Sequence, residues 1–236
     1  MKPVAIFRHI PAEGPGYLAV FLNELKIPWQ LICIDAGDQV PNDPGQFSGL
    51  VFMGGPMSVN DNLPWIPPVL ALIRKAVEID IPLLGHCLGG QLISKALSGV
   101  ISRNPVKEIG WNQCTVSDND TAHLWFGKTQ SFDAFHWHGE TFSLPPGAAH
   151  LLSSAHCVNQ AYALGKHLAL QCHVEMTEQM ISNWCTVGAN EIEVSTNSPA
   201  VQSAITMQTQ MVDKLPLLQS IARQLYQRWI DGLVAT

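Results

Sequence analysis

The chain has 236 residues, of which 47% are hydrophobic and 14% charged, and this composition excludes a disordered polypeptide. The net charge of −6 offers no basic surface for phosphate backbones, so we expect no nucleic-acid partner. No run of 18 apolar residues occurs and the six cysteines form no Cys-x-x-Cys pair. We therefore expect a cytoplasmic protein with reduced thiols and no membrane-spanning segment.

The first half of the sequence alternates short apolar runs with helix-like stretches. One helix is indicated by apolar residues at helical spacing between Leu18 and Leu25, and another by Pro67 and Pro68, which suit the first turn of a helix ending near Ile79. Strands separated by helices predict a three-layer α/β fold, with a mostly parallel open sheet and helices on both faces. The predicted strands are Val4 to Phe7, Trp29 to Ile34, Leu50 to Met53 and Ile81 to Leu84.

Beyond Gly99 the pattern changes to β-prone segments, some of which we expect to form a small antiparallel extension of the sheet. The tail from about Pro199 to Leu233 has apolar residues at helical spacing and predicts a helix packed on the sheet. No internal repeat or linker is evident, so residues 1–236 are predicted to form a single domain. The β-prone segments are Val100 to Ser102, Ile109 to Val116, Ser131 to Trp137 and Leu168 to Cys172.

A candidate nucleophile follows the fourth predicted strand. Gly85-x-Cys87-x-Gly89 has the pattern of a nucleophile elbow, in which glycines permit a sharp strand-to-helix turn. Such a turn places the cysteine sulfur at a helix N-terminus, where the helix dipole favours the thiolate. The alternative is a buried cysteine in an ordinary glycine-rich turn.

A candidate base follows the predicted strand Leu168 to Cys172. His173 and Glu175 are two residues apart, so in extended backbone they point to the same side, and Glu175 can orient the imidazole. Taken alone, this spacing also fits a surface His/Glu pair. However, Gly54-Gly55-Pro56, Cys87 and His173 each follow a predicted strand, and ligands of open parallel sheets bind beyond the carboxyl ends of the strands.

Three segments together resemble the motif blocks of class I glutamine amidotransferases, in particular the GMP synthase-like subgroup of stand-alone domains. They are Gly54-Gly55-Pro56, Gly85-His-Cys-Leu-Gly-Gly-Gln91 and Gln171-Cys-His-Val-Glu175. Lys107-Glu-Ile-Gly-Trp111 and the segment from Phe135 to Gly147 resemble that subgroup in order and spacing. The resemblance covers about residues 45–180 and implies a flavodoxin-like fold.

The resemblance also implies a mechanism. Cys87 would attack the side-chain amide of glutamine or a γ-glutamyl compound, and His173 and Glu175 would complete the triad. The resulting thioester would then be hydrolysed without a cofactor. The backbone N–H groups of Gly55 and Leu88 would form the oxyanion hole. The substrate would be held by Gln91, Trp137 and His138.

The sequence departs from the family pattern at two positions. Val174 stands where the family usually has proline, which leaves the rigidity of the His-x-Glu segment open. His86, directly before the nucleophile, is either a competing base or, as we favour, a packing or pocket-wall residue, because adjacent side chains diverge at a sharp turn.

No metal site is expected, because the remaining histidines lack the paired spacing and cysteine companions of zinc sites. Those histidines, predicted as surface or pocket residues, are His123, His136, His138, His150 and His156.

Three functional hypotheses follow. The first is a γ-glutamyl amide hydrolase, which would supply any ammonia to a partner chain because this sequence has no Ser-Gly-Gly-x-Asp-Ser loop of a synthase. The second is a non-catalytic binding or regulatory module on the same fold. The third, a cysteine hydrolase of the intracellular-peptidase or chaperone type, fits less well because those proteins lack the His-x-Glu block.

Overall fold

A computed structural model describes residues 1–234 of the chain, which form one ten-stranded sheet with helices on both faces. The strands are β1 (Val4–Arg8), β2 (Trp29–Cys33), β3 (Gly49–Phe52), β4 (Leu83–His86), β5 (Ile101–Val116), β6 (Ser131–Phe142), β7 (Ala149–Ser154), β8 (Ala161–Leu164), β9 (His167–Leu170) and β10 (Ala200–Val201). The helices are α1 (Gly16–Glu24), α2 (Ile66–Glu78), α3 (Leu88–Ala96), α4 (Asp120–Phe126), α5 (Glu178–Val187), α6 (Ala189–Val194) and α7 (Ala204–Ile230).

The centre of the sheet is parallel and has the strand order β9-β4-β3-β1-β2. The four strands predicted in the first half of the sequence are all present, as are the helices predicted after them. Strands β3, β4 and β9 are neighbours, so the loops that follow them meet at one edge of the sheet. This edge carries the three segments that the sequence indicated as a candidate site.

The predicted antiparallel extension is formed by β5 to β8, which pair antiparallel with one another and join the centre through β8 and β9. Two segments that the sequence pattern separated, Val100 to Ser102 and Ile109 to Val116, belong to the single strand β5. Its pairing with β6 shifts register between Arg103 and Glu108, and this irregularity broke the apolar pattern. The segment Leu168 to Cys172 supplies β9, which runs parallel to β4.

The two faces of the sheet carry separate cores. Helices α2 and α3 cover one face, where Phe7, Phe52 and Leu92 are fully buried. The other face carries α1, α4, α5 and α7, and its core includes Trp125 and Trp229. Helices α4 to α6 were not predicted, since each is short. No helix within residues 1–234 has both the length and the apolar character needed to cross a bilayer.

Candidate active site

Cys87 occupies the turn between β4 and α3 with φ 49° and ψ −108°, a backbone conformation that residues other than glycine rarely adopt. Such a conformation costs about 1–3 kcal/mol and is typically found at functional sites. The N–H of Cys87 donates a hydrogen bond to the carbonyl of Leu170 at 2.8 Å, which ties the turn to β9. The elbow therefore holds the sulfur at the N-terminus of α3.

The glycines of the elbow are needed for close backbone packing. A Cβ on Gly89 would lie 1.9 Å from the carbonyl oxygen of Phe52 on β3, and one on Gly85 would lie 2.5 Å from the carbonyl carbon of Gly89. Both distances are shorter than any real Cβ contact. The predicted reason for the glycines of this motif is confirmed.

His173 and Glu175 point to the same side of the chain, and Nδ1 of His173 lies 2.6 Å from Oε1 of Glu175. Both side chains are 1% exposed. The backbone is fixed from two sides, because the N–H of His173 donates to the carbonyl of Phe135 and the carbonyl of Glu175 accepts from the N–H of Tyr17, each at 2.8 Å. Val174 is buried, so packing and these hydrogen bonds supply the rigidity that proline would otherwise provide.

Burial and charge act in opposition on the three groups. Burial raises the pKa of Glu175, but His86 and His173 outweigh it and bring this pKa to about 2. Burial lowers the pKa of His173, but the charge of Glu175 and the contact with Cys87 raise it well above its ordinary value. Burial raises the pKa of the Cys87 thiol, while the neighbouring His173 lowers it. Burial thus opposes the thiolate that the helix N-terminus was expected to favour.

The sulfur of Cys87 faces a cavity of about 660 Å³. Gly55, Gln91, Trp137 and His138, which the family resemblance singled out, line the same cavity. Other lining residues include Glu13, Arg103, Lys107, Glu140 and Glu191, which carry charges of both signs.

The two candidate oxyanion-hole residues are neighbours. Leu88 is the first residue of α3, where N–H groups have no partner within the helix. A Cβ on Gly55 would lie 2.8 Å from Cδ2 of Leu88, so the glycine loop after β3 packs directly on the start of this helix. The structure therefore brings these two backbone segments together.

Gln91 braces the nucleophile through a second glutamine. Its Nε2 donates to Oε1 of Gln171 at 3.1 Å, and Nε2 of Gln171 donates to Sγ of Cys87 at 3.5 Å. Trp137 is tied to the cavity wall, because its indole N–H donates to Glu191 at 2.8 Å. Gln171 and Glu191 were not singled out from the sequence.

Glu13 is a site residue that sequence reasoning missed. It lies in the loop after β1, and a Cβ on Gly54 would meet Oε2 of Glu13 at 1.9 Å and Cε1 of His173 at 3.1 Å. Burial raises the pKa of Glu13 to about 7, and the negative charge of Glu175 raises it further, whereas His173 lowers it. A lone glutamate in a Pro/Gly loop gives no sequence signal.

His86 lies behind the candidate triad and does not line the cavity. Its Nε2 is 3.6 Å from Oε2 of Glu175 and 3.2 Å from the hydroxyl of Tyr226, and all three side chains are buried. Burial lowers the pKa of His86. Of the two roles favoured from the sequence, the structure shows packing and not a pocket wall, because this side chain points towards Tyr226 of α7 and away from the cavity.

Three buried residues also lie close enough together to ligate a metal ion: Glu108, His136 and His138. The prediction that His136 is a surface or pocket residue was wrong, since it is fully buried, and burial lowers its pKa to about 3. His136 and His138 alternate along one strand, and Glu108 on the paired strand completes the cluster. The spacing His-x-His within a predicted strand was the available signal, but the carboxylate is distant in sequence.

Comparison with known proteins agrees with this geometry. Residues 19–182 match the family model for glutamine amidotransferase class-I. The chain is 28% identical over 217 residues to the glutamine amidotransferase-like protein YfeJ of Salmonella typhimurium, covering 86% of each chain. It is also 28% identical to gamma-glutamyl peptidase 3 of Arabidopsis thaliana, covering 70% of this chain and 71% of that protein.

Solved structures give the same result. A glutamine amidotransferase from Methylobacillus flagellatus superposes with a TM-score of 0.98 at 42% identity, covering 100% of this chain and 97% of the other. A glutamine amidotransferase from Thermotoga maritima superposes with a TM-score of 0.87 at 25% identity, covering 98% of both. The predicted fold class is confirmed. The chain therefore belongs to the class-I glutamine amidotransferase family.

Proposed function

We propose that this protein is a cysteine-dependent hydrolase of γ-glutamyl amides, with Cys87 as nucleophile, His173 as general base and acid, and Glu175 as the group that orients His173. The observation that carries the proposal is the meeting of Cys87 with the His173–Glu175 pair beside one cavity, although the thiol and the imidazole are 86 positions apart in the sequence. A nucleophile, a base and an orienting acid in this order form a triad.

The reaction would proceed in two steps. The Cys87 sulfur attacks the amide carbon, the C–N bond breaks, and His173 delivers a proton to the departing ammonia or amine. Water, deprotonated by His173, then hydrolyses the thioester and restores the thiol. The N–H groups of Gly55 and Leu88 would stabilise both oxyanions, and losing one such donor typically costs about 10²–10³ in rate.

The cavity supports a substrate larger than glutamine. Its 660 Å³ lies within the range of about 300–1,000 Å³ that is usual for drug-sized ligands. Carboxylates on Glu13 and Glu140 suit the ammonium group of a γ-glutamyl compound, and Arg103 suits a carboxylate. We therefore favour a γ-glutamyl conjugate over free glutamine.

Ammonia transfer to a partner is a second candidate. A relative from Saccharolobus solfataricus is named as the glutamine-hydrolyzing component of a GMP synthase, and it is 31% identical over 134 residues that cover 56% of this chain and 69% of that protein. If this chain acts in a comparable way, it would hydrolyse glutamine in preference to conjugates and pass the ammonia to another chain.

The test is release of ammonia or amine from glutamine and from a panel of γ-glutamyl amides and dipeptides by the purified chain. We expect turnover of at least one γ-glutamyl compound, abolished in Cys87→Ala and retained in Cys33→Ala, a thiol outside the cavity. Turnover in Cys87→Ala would refute the assignment. No turnover across the panel would favour a non-catalytic binding module.

A further inference from the structure

The cluster of Glu108, His136 and His138 lies behind the cavity wall and has no part in the proposed hydrolysis. Glu108 on β5 pairs with His138 on β6, and Gly110 pairs with His136. Residues opposite each other, or two apart on one strand, share a face of the sheet, so all three polar side chains point to the same side. Their candidate ligand atoms all lie within 4.8 Å of one another.

The outer hydrogen bonds of both histidines fix which ring nitrogen is free. Nδ1 of His138 lies 3.0 Å from the carbonyl of Glu140, and Nε2 of His136 lies 3.3 Å from the carbonyl of Asn112. A carbonyl only accepts, so each of these nitrogens donates. In metal sites, ligating histidines almost always donate their second N–H to a carbonyl or carboxylate in this way.

The inner ring nitrogens consequently present lone pairs to a carboxylate. Nε2 of His138 lies 3.1 Å from Oε2 of Glu108, and Nδ1 of His136 lies 4.0 Å from the same oxygen. Nδ1 of His136 is fully buried and has no hydrogen-bond partner within the described residues. Two lone pairs directed at an anion repel it, and a cation between them would make the arrangement favourable.

Gln160 supplies a fourth group. Its Nε2 lies 2.7 Å from Oε2 of Glu108 and 3.3 Å from Nε2 of His138, while its buried Oε1 has no partner among residues 1–234. The oxygen and nitrogen of an amide exchange places by a simple flip. After that flip, Oε1 would face the same point as the other three ligand atoms.

We propose that Glu108, His136, His138 and Gln160 form a closed site with two nitrogen and two oxygen ligands for a divalent transition-metal ion, foremost Zn²⁺. Imidazole and carboxylate ligands in a tetrahedral set are typical of zinc. Bonds of about 2.0–2.2 Å place tetrahedral ligands about 3.4 Å apart, and the separations of 3.1 and 4.0 Å bracket that value.

The site would be structural, because four protein ligands leave no open position. It would fasten β5 and β6 to the segment that precedes β8. His138 lines the cavity on its other edge, so the metal would fix the wall formed by Trp137 and Gly139.

The test uses the full chain, stripped of metal by a chelator and titrated with Co²⁺ while the visible spectrum is recorded. We expect one equivalent to bind with the intense visible bands of tetrahedral cobalt and without a thiolate-to-cobalt charge-transfer band, and Zn²⁺ to displace it. Cys114→Ala should leave the spectrum unchanged, although Cys114 lies 3.8 Å from Nε2 of His136.

Glu108→Gln and His138→Gln should weaken Co²⁺ binding at least about 100-fold, since changes outside the ligand set alone cost about 10–100-fold. The matched control is His123→Gln, because His123 is exposed on α4 and should not matter. Near-UV circular dichroism checks the fold of each variant. If a variant does not fold, the wild-type titration decides. Absence of bound cobalt, a weak octahedral spectrum, or equal binding by folded ligand variants would overturn the proposal.

Discussion

Nε2 of His86 lies 3.6 Å from Oε2 of Glu175, the carboxylate oxygen that His173 does not contact. His173 holds the other oxygen at 2.6 Å, and the hydroxyl of Tyr226 lies 3.2 Å from Nε2 of His86. Glu175 is therefore held between two imidazoles in a fully buried setting. The residue before the nucleophile thus supports the acid of the candidate triad from behind.

Replacing His86 should slow catalysis without weakening substrate binding. Hydrogen bonds to charged groups are worth about 1.5–3 kcal/mol, and His86→Gln would remove part of such an interaction with Glu175, so we expect kcat to fall roughly 10-fold with little change in KM. The measurement is steady-state kinetics on the best γ-glutamyl substrate. Tyr226→Phe should give a smaller fall, and an unchanged kcat in His86→Gln would contradict this role.

Removing the charge of His173 should make Cys87 harder to alkylate. Burial raises the pKa of the thiol and His173 lowers it, so His173→Gln leaves only the unfavourable effect and raises this pKa further. The pH at which iodoacetamide modifies Cys87 should therefore move upward, as measured by peptide mass spectrometry. The other five cysteines are internal controls, and an unmoved pH profile would separate Cys87 from His173.

Glu13→Gln should have the opposite effect on the same thiol. The charge of Glu13 raises the pKa of Cys87, so its removal should move alkylation of Cys87 to lower pH. A shift in the same direction as that of His173→Gln would contradict the placement of these charges.

Glu13→Gln should also change how stability depends on pH. The folded-state pKa of Glu13 is about 7, above the ordinary 4.5. The stability that Glu13 contributes is therefore fully present below pH 4.5 and lost as the pH rises through 7. Because its carboxylate reaches the cavity, we expect the variant to gain no more than about 2 kcal/mol at pH 8 and little at pH 4, measured by denaturant unfolding. Equal gains at both pH values would rule out this titration.

Gly16 fixes the backbone of Glu175. It has φ +48°, and a Cβ there would lie 2.2 Å from the carbonyl oxygen of Glu175 and 2.6 Å from the sulfur of Met180. Gly16→Ala should destabilise the fold by about 1–3 kcal/mol and reduce kcat, because Glu175 must shift. The matched control is Gly14→Ala, whose Cβ would meet nothing within 4 Å. Equal effects of both variants on thermal unfolding and kcat would refute this explanation.

Much of the fold could be predicted because parallel strands buried on both faces are continuous apolar runs, as in Val4–Arg8 and Gly49–Phe52. Short helices such as Ala189–Val194 carry too few turns to show periodicity. That residues 1–236 form one domain stays a prediction, supported by the continuous sheet; residues 235–236 lie outside the described part.

The sequence by itself determined which chemistry is present and at which edge of the sheet it lies. Glycines around Cys87 and the spacing of His173 and Glu175 are local properties, and loops after parallel strands necessarily share an edge. Only the tertiary structure decided that Glu13 faces His173, that His86 supports Glu175, and that Glu108 joins two histidines. Those relationships depend on burial and on contacts between residues far apart in the chain, which no local pattern encodes.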